Sequence, residues 1–470
     1  MAETLSARRL VDGVGAGRSA SGPCFRTVLG FLAAFRRDPL GFLTENWRTY
    51  GDAVDIRFRF PSHWHAFLFF DPDAVRHVLQ ENHRNYAKGI VFQKLKRVAG
   101  EGLVFSDGDL WRRQRQLIQP TFHRERIAAM TDMMVETTAD ALARWAHASS
   151  GRPVDLAAEL SRLTLEIVSK ALFGTDLADE KDEFAAAVTA ALEYANYITN
   201  HFMPPPLFVP TRANRAGRDA IARIDRVVWK VIEQRRREGI ERYDLLGMLI
   251  SARDAETNTA MDDKQLRDEV VTFLVAGHET TAVALSWACH LLTQHPDIEQ
   301  RLHEQIEAGI GPQPPTLADL GAVAYARMVL EEAMRLFPPV WATIREARAD
   351  DEVGGFAVPA ASTLTVSPWV THRHPRFWDD PERFDPERFT PERSAERPDF
   401  AYFPFGGGPR GCVGRQFAMI EGQIILTMIA QRFRLRSAAG HVVTPDPILT
   451  LRPRNGLPML LEPRASMGAG

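Results

Sequence analysis

One cysteine of the chain lies in a glycine-rich segment that leads directly into a predicted helix. The segment is Phe405–Gly414, with the sequence FGGGPRGCVG, and its cysteine is Cys412. The N-terminus of a helix favours negative charge, and Arg410 adds a positive charge two residues away. Both features stabilise a thiolate, which is the form of cysteine that binds metal. The pattern indicates either a thiolate ligand or a buried cysteine in a turn.

A short polar stretch interrupts the longest apolar run of the chain, Val270–Leu292. A glycine in mid-helix, here Gly277, costs up to ~1 kcal/mol relative to alanine. Gly277 and Thr280 are three residues apart and so share a helix face, and a threonine hydroxyl can divert a helical carbonyl and open a groove. Such a groove could accommodate a diatomic ligand, and Glu279 could relay protons to it. A notch for packing against another helix is the alternative.

Other motifs combine charged side chains with helix spacing. Glu332 and Arg335 are three residues apart and can pair, and Arg388 follows later in the segment FDPERF. Trp111 and Arg115 are four residues apart and can face one edge of a ligand, where the arginine could bind a carboxylate. Exposed ion pairs and core tryptophans are common, so by themselves these motifs also fit ordinary packing.

The elements that must position these residues are mostly helices, with strands near both ends. The strict alternation of Ala53–Phe60 predicts a strand with Val54 and Phe60 on one face and Asp55 on the other. Ala66–Phe70 predicts a second strand, followed by a helix from Asp71-Pro72 through Leu79. Asp155 caps a predicted helix that Gly174 ends, and Asn455-Gly456 predicts a hairpin turn. The order of the elements favours a mainly helical α+β fold.

Composition excludes several classes of protein. The chain has 470 residues and a net charge of −3, from 57 basic and 60 acidic side chains, so we expect no binding to nucleic acid. Three cysteines exclude a disulfide scaffold and a four-cysteine metal site, and they suit a reducing cytoplasm. The apolar patch Val28–Phe35 is too short to span a membrane, and Val270–Leu292 carries polar groups in its middle. We therefore expect a soluble, cytoplasmic protein without a transmembrane anchor.

Taken in order along the chain, these motifs resemble the cytochrome P-450 superfamily, in particular its bacterial-type soluble haem-thiolate monooxygenases. The resemblance extends from roughly Arg36 to Glu462. It implies a single P-450 domain, 23–464, with a large helical region around a long central helix and a smaller β-rich region. A flexible N-terminal tail, 1–22, and a C-terminal tail, 465–470, are expected at the ends.

The resemblance implies haem b, an iron protoporphyrin IX held without covalent attachment, with the Cys412 thiolate as axial metal ligand. Thr280 is expected to act with Glu279 in supplying protons to iron-bound oxygen. Glu332, Arg335 and Arg388 are expected to form a structural network that supports the cysteine loop. The other residues expected to contact the haem are Trp111, Arg115, Ala276, Gly277, Arg345, Phe405, Arg410 and Gly414.

Substrate-facing residues are expected, by family position, in the loops 86–105 and 194–210 and after the double proline at 338–339. Phe202, Val340 and Trp341 are the pocket residues predicted on this basis. A mostly apolar pocket implies a lipophilic small-molecule substrate, and fatty acid, terpenoid, steroid and polyketide all remain open.

The implied reaction inserts one atom of O2 into the substrate, by hydroxylation or epoxidation. Electrons are expected from a separate ferredoxin or flavodoxin-type donor with its reductase, because no flavin-binding or ferredoxin-like segment remains unassigned. A basic patch of Arg112, Arg113 and Arg415 could dock such an acidic donor. The alternatives are a peroxide-driven or isomerising haem-thiolate enzyme and a haem-based sensor or lipophile-binding protein.

Overall fold

The computed structural model describes residues 18–60, 64–149, 151–174, 181–201, 203–238, 244–254 and 257–464. The described chain forms two compact units, each assembled from separate segments. The first unit comprises residues up to 91, 340–383 and 391–412. The second unit comprises 92–339, 384–390 and the residues from 413 onward. The predicted domain boundaries at 23 and 464 stay a prediction, and residues 1–17 and 465–470 of the predicted tails lie outside the described residues.

Helices account for most of the regular structure. In chain order they are α1 Val28–Arg37, α2 Pro39–Tyr50, α3 Pro72–Arg76, α4 Ile90–Ala99, α5 Gly108–Ile118, α6 Arg124–Ala128, α7 Thr131–Ser149, α8 Leu156–Phe173, α9 Lys181–Asn200, α10 Arg212–Glu238, α11 Leu245–Ser251, α12 Asp263–Gln294, α13 Pro296–Gly309, α14 Ala324–Leu336, α15 Pro368–Thr371, α16 Pro391–Ala395 and α17 Arg415–Arg432. A π-helical turn, His77–Glu81, continues α3, and 3₁₀ turns include Pro386–Phe389 and Gly408–Arg410.

The strands are short and divide among four sheets. They are β1 Cys24–Thr27, β2 Ala53–Phe60, β3 His65–Phe69, β4 Tyr86–Lys88, β5 Val154–Asp155, β6 Thr343–Ala347, β7 Asp351–Val353, β8 Phe356–Val358, β9 Thr363–Val366, β10 Phe433–Ser437, β11 Pro445–Pro447, β12 Leu451–Pro453 and β13 Pro458–Pro463. The first unit holds a six-stranded sheet in the order β1-β2-β3-β9-β6-β4 and the pair β7-β8. The second unit holds β10-β13-β5 and the pair β11-β12.

Strand β2 has the predicted bounds, but the burial of its side chains does not follow the alternation of apolar and polar residues at every position. Val54 is fully buried, whereas Phe60, on the same face by alternation, is 76% exposed. The ladder between β2 and β3 ends at Arg57, so among the described residues Phe60 is paired only with Thr27 of β1. Asp55 is buried, its backbone N–H donates to the Ser21 carbonyl, and its carboxylate lies 3.0 Å from a ring nitrogen of His65. Strand β3 and helix α3 are confirmed. The α-helix ends at Arg76, before the predicted end at Leu79, and the π turn His77–Glu81 continues it.

Helix α12 is the core helix of the second unit. It is 32 residues long, and nearly all of 266–274 and 281–289 is buried. Its length and apolarity would be sufficient to cross a membrane, but most of it is buried inside the protein. Helix α8 packs beside it and has the predicted ends, since Asp155 caps Ala158 N–H and Gly174 closes the helix with a φ of +63°.

The predicted hairpin at Asn455-Gly456 is wrong. Both residues have positive φ, 63° and 79°, as a tight hairpin turn requires. The strands on either side do not pair with each other, because β12 pairs with β11 while β13 pairs with β10 and β5. The Asp155 carboxylate accepts a hydrogen bond from Leu457 N–H at 2.8 Å, which directs the chain after the turn toward β5.

Candidate active site

The cysteine turn, defined here as Phe405–Cys412, presents its cysteine at the surface. Cys412 is exposed, so the alternative of a buried cysteine is wrong. Its backbone N–H donates to the Phe405 carbonyl at 2.9 Å, and Gly411 N–H donates to the Gly408 carbonyl at 3.0 Å. Helix α17 begins three residues later, with Gly414 at its N-cap. The sulfur is therefore accessible to a ligand beside the start of a helix.

The glycines of this turn have separate structural reasons. Gly406 and Gly408 have φ values of +67° and +63°, which side chains rarely tolerate. At Gly407, an added Cβ would collide with the ring of Phe400. The turn therefore keeps its shape only with glycine at these positions.

The middle of α12 opens to solvent although both flanks are buried. Ala276 is exposed, and Val275, Gly277, Glu279 and Thr280 are half-buried. A core helix that exposes small apolar side chains along one turn lines an open space rather than packed protein. This open face could receive a flat apolar group.

Two consecutive threonines bind carbonyls within this part of α12. Thr280 Oγ1 donates to the Ala276 carbonyl at 2.8 Å, and Thr281 Oγ1 donates to the Gly277 carbonyl at 3.2 Å. An added Cβ at Gly277 would lie 3.1 Å from Val168 on α8. The small size of Gly277 therefore serves packing against α8, and Ala276 and Thr280, four residues apart, share the open face instead.

Glu279 is half-buried and the neighbouring His278 is fully buried, and burial shifts their pKa values in opposite directions. Burial raises the pKa of Glu279, while a 2.9 Å hydrogen bond from the Thr450 hydroxyl and the charge of Arg452 act against that rise. Burial lowers the pKa of His278 to about 4, and a ring nitrogen lies 2.5 Å from the Leu274 carbonyl. His278 is therefore neutral and structural, whereas Glu279 retains a proton more readily than an exposed glutamate.

The predicted haem-contacting residues are distributed over both units. Trp111 is buried and Arg115 half-buried on α5, where Arg115 Nε donates to Gln119 at 3.2 Å. In the first unit, Arg345 is buried in β6 and Arg410 is half-buried in the cysteine turn. A charged arginine that is buried to this degree needs anionic or carbonyl partners. Arg115, Arg345 and Arg410 could therefore bind the carboxylates of a ligand.

The predicted pocket residues are Phe202, Val340 and Trp341. Phe202 lies outside the described residues. Val340 is 38% exposed, and Trp341 stacks on Phe35 of α1 with ring centroids 6.1 Å apart. One face of Trp341 is thus engaged in packing within the first unit. The assignment of Val340 and Trp341 to a substrate pocket stays a prediction.

The network of Glu332, Arg335 and Arg388 is present in the second unit. Arg335 binds Glu332 through two hydrogen bonds of 2.6 and 2.8 Å, and both side chains are fully buried. Arg388 Nε lies 3.4 Å from Glu332 Oε1, which also accepts the backbone N–H of Asp385 at 2.8 Å. A buried carboxylate with this many donors holds α14 to the Pro386–Phe389 turn.

Sequence reasoning missed Glu421, a fully buried glutamate on α17. Burial raises its pKa to about 8. The Thr281 hydroxyl lowers the pKa by less than burial raises it, and the proton of this hydroxyl is directed to the Gly277 carbonyl. Within the described residues, neither carboxyl oxygen makes a hydrogen bond of good geometry. Its signal in the sequence is a lone acidic residue within the apolar stretch of α17.

The expected basic patch is only partly formed. Arg112 is exposed and pairs with Asp109 at 2.7 Å, and Arg415 is exposed. Arg113 instead donates to the Thr259 hydroxyl and the Ala260 carbonyl at 2.8 and 3.2 Å. The loop before α12 thus engages the guanidinium of Arg113, and the basic patch stays a prediction.

These residues fit a haem. Among the described residues, no cluster of three or more histidine, cysteine, aspartate or glutamate side chains could hold a metal ion. A metal at Cys412 would thus need most of its ligands from a bound group, and a porphyrin supplies four nitrogens. In the second unit, the open face of α12 suits a flat apolar ring, and in the first unit Arg345 and Arg410 suit an anionic group such as a propionate.

The family model of cytochrome P-450 matches residues 21–458. The chain belongs to the cytochrome P-450 family. It is 38% identical over 93% of its length to cyclooctat-9-en-7-ol 5-monooxygenase of Streptomyces melanosporofaciens, covering 94% of that protein. It is 36% identical to cyclooctatin synthase of the same organism, over 93% of this chain and 94% of that protein. The family and the class of enzyme, a P-450 monooxygenase, are therefore as predicted.

Solved structures agree with this assignment. The crystal structure of the heme domain of cytochrome P450DA superposes with a TM-score of 0.85 at 25% identity, covering 96% of this chain and 99% of that one. The predicted fold class, a mainly helical P-450 fold with a smaller β-rich region, is confirmed.

Proposed function

We propose that this P-450 binds haem b through the Cys412 thiolate and inserts one atom of O2 into a C–H or C=C bond of a lipophilic, cyclic terpenoid. The observation that carries the proposal is the exposed sulfur of Cys412 in a glycine-dependent turn at the start of α17. The haem, when bound through a thiolate, supplies the activation of oxygen.

Anchoring of the haem falls to the arginines. Arg115, Arg345 and Arg410 are each half-buried or buried, so a charge-assisted hydrogen bond from them to a propionate would form in a low dielectric. Trp111, buried one turn before Arg115, would pack its ring against the ligand edge. The Glu332, Arg335 and Arg388 network would keep α14 rigid within the second unit.

Proton supply falls to Thr280 and Glu279. The hydroxyl hydrogen of Thr280 is directed to the Ala276 carbonyl, so the lone pairs of Oγ1 can accept a hydrogen bond from water on the open face. The half-buried Glu279 carboxyl, whose pKa burial raises, would hold a replacement proton beside Thr450.

The substrate class follows from similarity and from the open face. The first relative is named as acting on cyclooctat-9-en-7-ol, a cyclic compound with one double bond and one hydroxyl group. An alanine and a valine on the open face suit a hydrocarbon skeleton of this kind better than a charged group. We therefore favour a cyclic terpenoid alkene or mono-alcohol over a fatty acid, steroid or polyketide.

Electrons would come from a ferredoxin or flavodoxin-type donor with its reductase, in the cytoplasm. The exposed Arg112 and Arg415 are basic groups that an acidic donor could approach. A peroxide-driven reaction is the competing proposal, and it would need neither a donor nor Thr280.

The decisive test uses haem-loaded full-length protein and a panel of cyclic terpenoid alkenes, terpenoid alcohols, fatty acids and steroids. We expect a terpenoid to shift the ferric spin state and, with donor and reductase under ¹⁸O2, to gain one labelled oxygen atom. Turnover with hydrogen peroxide alone, and none with the donor, would favour the competing reaction. Binding of terpenoids without any oxygenated product under either condition would contradict both.

Two variants test the assigned residues. Cys412→Ser should abolish the thiolate-type spectrum of the reduced carbon monoxide complex, because serine is a poor ligand for haem iron. Thr280→Val, which keeps the side-chain shape, should leave this spectrum intact while diverting most electrons to peroxide. Normal coupling of electron use to product in Thr280→Val would remove the threonine from the proton supply.

A further inference from the structure

A half-buried hydrogen-bond cluster in the first unit surrounds Asp351 at the start of β7. Asp351 Oδ2 lies 2.9 Å from His77 Nε2, 3.0 Å from Asn82 Nδ2 and 2.5 Å from the Tyr86 hydroxyl. The other carboxylate oxygen accepts the Glu352 backbone N–H at 2.9 Å. The carboxylate thus collects donors from the π turn, the residue after it and β4.

The charge of Asp351 follows from these donors. Burial acts to raise its pKa, but the hydrogen bonds from Tyr86, His77 and Asn82 outweigh burial, and the net pKa is lowered. Burial and the neighbouring Asp351 charge raise the pKa of Tyr86, so its hydroxyl remains a donor. The cluster is therefore built around a permanent carboxylate, and each of its hydrogen bonds is charge-assisted.

The cluster holds an unusual segment of backbone. His77 is the first residue of the π turn His77–Glu81, and Asn82 follows its last residue. A π-helical turn is less favourable than a continued α-helix and is found mostly where it has a functional reason. Bonds at both of its ends to one carboxylate keep the turn in this form.

The π turn is in direct contact with the cysteine turn. An added Cβ at Gly408 would collide with the Leu79 carbonyl oxygen and lie 2.7 Å from Gln80 Cα. The two backbones therefore touch without any intervening side chain, four residues before Cys412. Within the cysteine turn, the Gly408 carbonyl in turn accepts the Gly411 N–H at 3.0 Å. A shift of the π turn would thus be transmitted to the residue next to Cys412.

We propose that Asp351, together with Tyr86 and His77, is a positioning group for the Cys412 thiolate and acts through the π turn. The cluster does not touch the sulfur; it sets the position of the backbone from which the sulfur projects. Outer hydrogen bonds of this kind tune the strength of a metal–ligand bond. The inference rests on the proposed binding of haem iron by Cys412.

The test compares Asp351→Asn and Tyr86→Phe with the native protein, all full-length and haem-loaded. Asp351→Asn keeps the shape but removes the charge, whereas Tyr86→Phe removes one donor. We expect the ratio of non-thiolate to thiolate forms of the reduced carbon monoxide complex to rise roughly ten-fold in Asp351→Asn, the factor associated with one charged hydrogen bond. Tyr86→Phe should show a smaller rise, and both variants should shift the reduction potential of the iron in the same direction.

Asp244→Asn is a matched control in the second unit. Asp244 is a buried carboxylate that, like Asp351, accepts several hydrogen bonds: it pairs with Arg235 at 2.6 Å and binds Gly247 N–H at 2.8 Å. Its replacement should lower stability without changing the spectrum or the potential. If Asp351→Asn behaves like Asp244→Asn, with lost stability alone, Asp351 is structural only and the proposal is overturned.

Other outcomes separate this inference from the proposed function. If Asp351→Asn does not fold, Tyr86→Phe decides the matter, and an unchanged spectrum and potential in it overturn the proposal. If Cys412→Ser retains the thiolate-type spectrum, the proposed haem ligation itself fails. If Cys412→Ser loses that spectrum while the cluster variants keep it with an unchanged potential, only the positioning role fails.

Discussion

Two glutamates of the second unit are completely buried on helices that touch, yet they have opposite surroundings. Glu332 on α14 is bound by Arg335, Arg388 and a backbone N–H. Glu421 on α17 has no such donors among the described residues, and burial raises its pKa to about 8. The helices approach where Gly422 meets Leu330. Equal burial therefore produces a carboxylate that links two arginines in one place and a neutral acid in the other, and the difference lies in the donors.

Removing the carboxylate of Glu332 should have the largest effect. In Glu332→Ala, Arg335 remains as a buried charge without its main partner, which costs about 3–5 kcal/mol of unfolding free energy. Urea unfolding measures this loss. Glu331→Ala is the control, because Glu331 pairs at 3.5 Å with the exposed Arg327 and such a pair contributes about 1 kcal/mol or less. Similar losses in both variants would contradict the special role of the buried network.

Replacing Glu421 with glutamine should change the pH dependence of stability. The unfolded chain releases this proton near pH 4.5, whereas the folded protein retains it to about pH 8. The folded state thus binds more protons in this window, and the free energy of unfolding falls as pH rises, by at most about 1.4 kcal/mol per pH unit. Above pH 8 this loss is complete.

Glu421→Gln has no proton to lose and should be more stable than the native protein at pH 8. Chemical unfolding at a series of pH values across the window gives the two slopes. Parallel slopes for the two proteins would mean that Glu421 is ionised in the folded state, and the contrast with Glu332 would then disappear.

The contact between the two helices gives a smaller effect. In Gly422→Ala, the new Cβ would lie 2.6 Å from Leu330 Cδ2, and overpacking of this kind costs about 1–3 kcal/mol. Gly277→Ala places its Cβ at 3.1 Å from Val168, and the gain in helix propensity of up to ~1 kcal/mol offsets most of that strain. Thermal unfolding should rank Gly422→Ala well below Gly277→Ala. The reverse order would show that α17 and α14 are not held together at Gly422.

Local patterns predicted those parts of the fold whose causes are local. The bounds of β2 and of α8 follow from alternation, from the Asp155 cap and from Gly174, all of which lie within the element or next to it. The exposure of Phe60 and the burial of Asp55 could not be predicted in this way, because neighbouring strands and the segment before β1 decide them. The turn at Asn455-Gly456 has the expected backbone, but its strands take partners elsewhere in the chain.

The candidate site likewise contains some residues that a local pattern predicted and others whose role depends on distant parts of the chain. Cys412, Arg410 and the glycines of the cysteine turn were found because their spacing is short and their types are rare together. For α12, the spacing of the residues predicted that Gly277 and Thr280 share the helix face that receives a ligand. The structure pairs Ala276 with Thr280 instead, since Val168 of the neighbouring helix lies against Gly277.

The amino-acid sequence by itself determined the family, the identity of the candidate thiolate and the ends of α8, because each depends on motifs whose residues are close together in the chain. Only the tertiary structure decided which buried acids have hydrogen-bond donors and which residues pack against the cysteine turn. His77 and Asp351 are 274 positions apart, and Glu421 is neutral because of the donors that its neighbours fail to provide. Electrostatics and packing act through space, so no pattern of adjacent residues could have specified them.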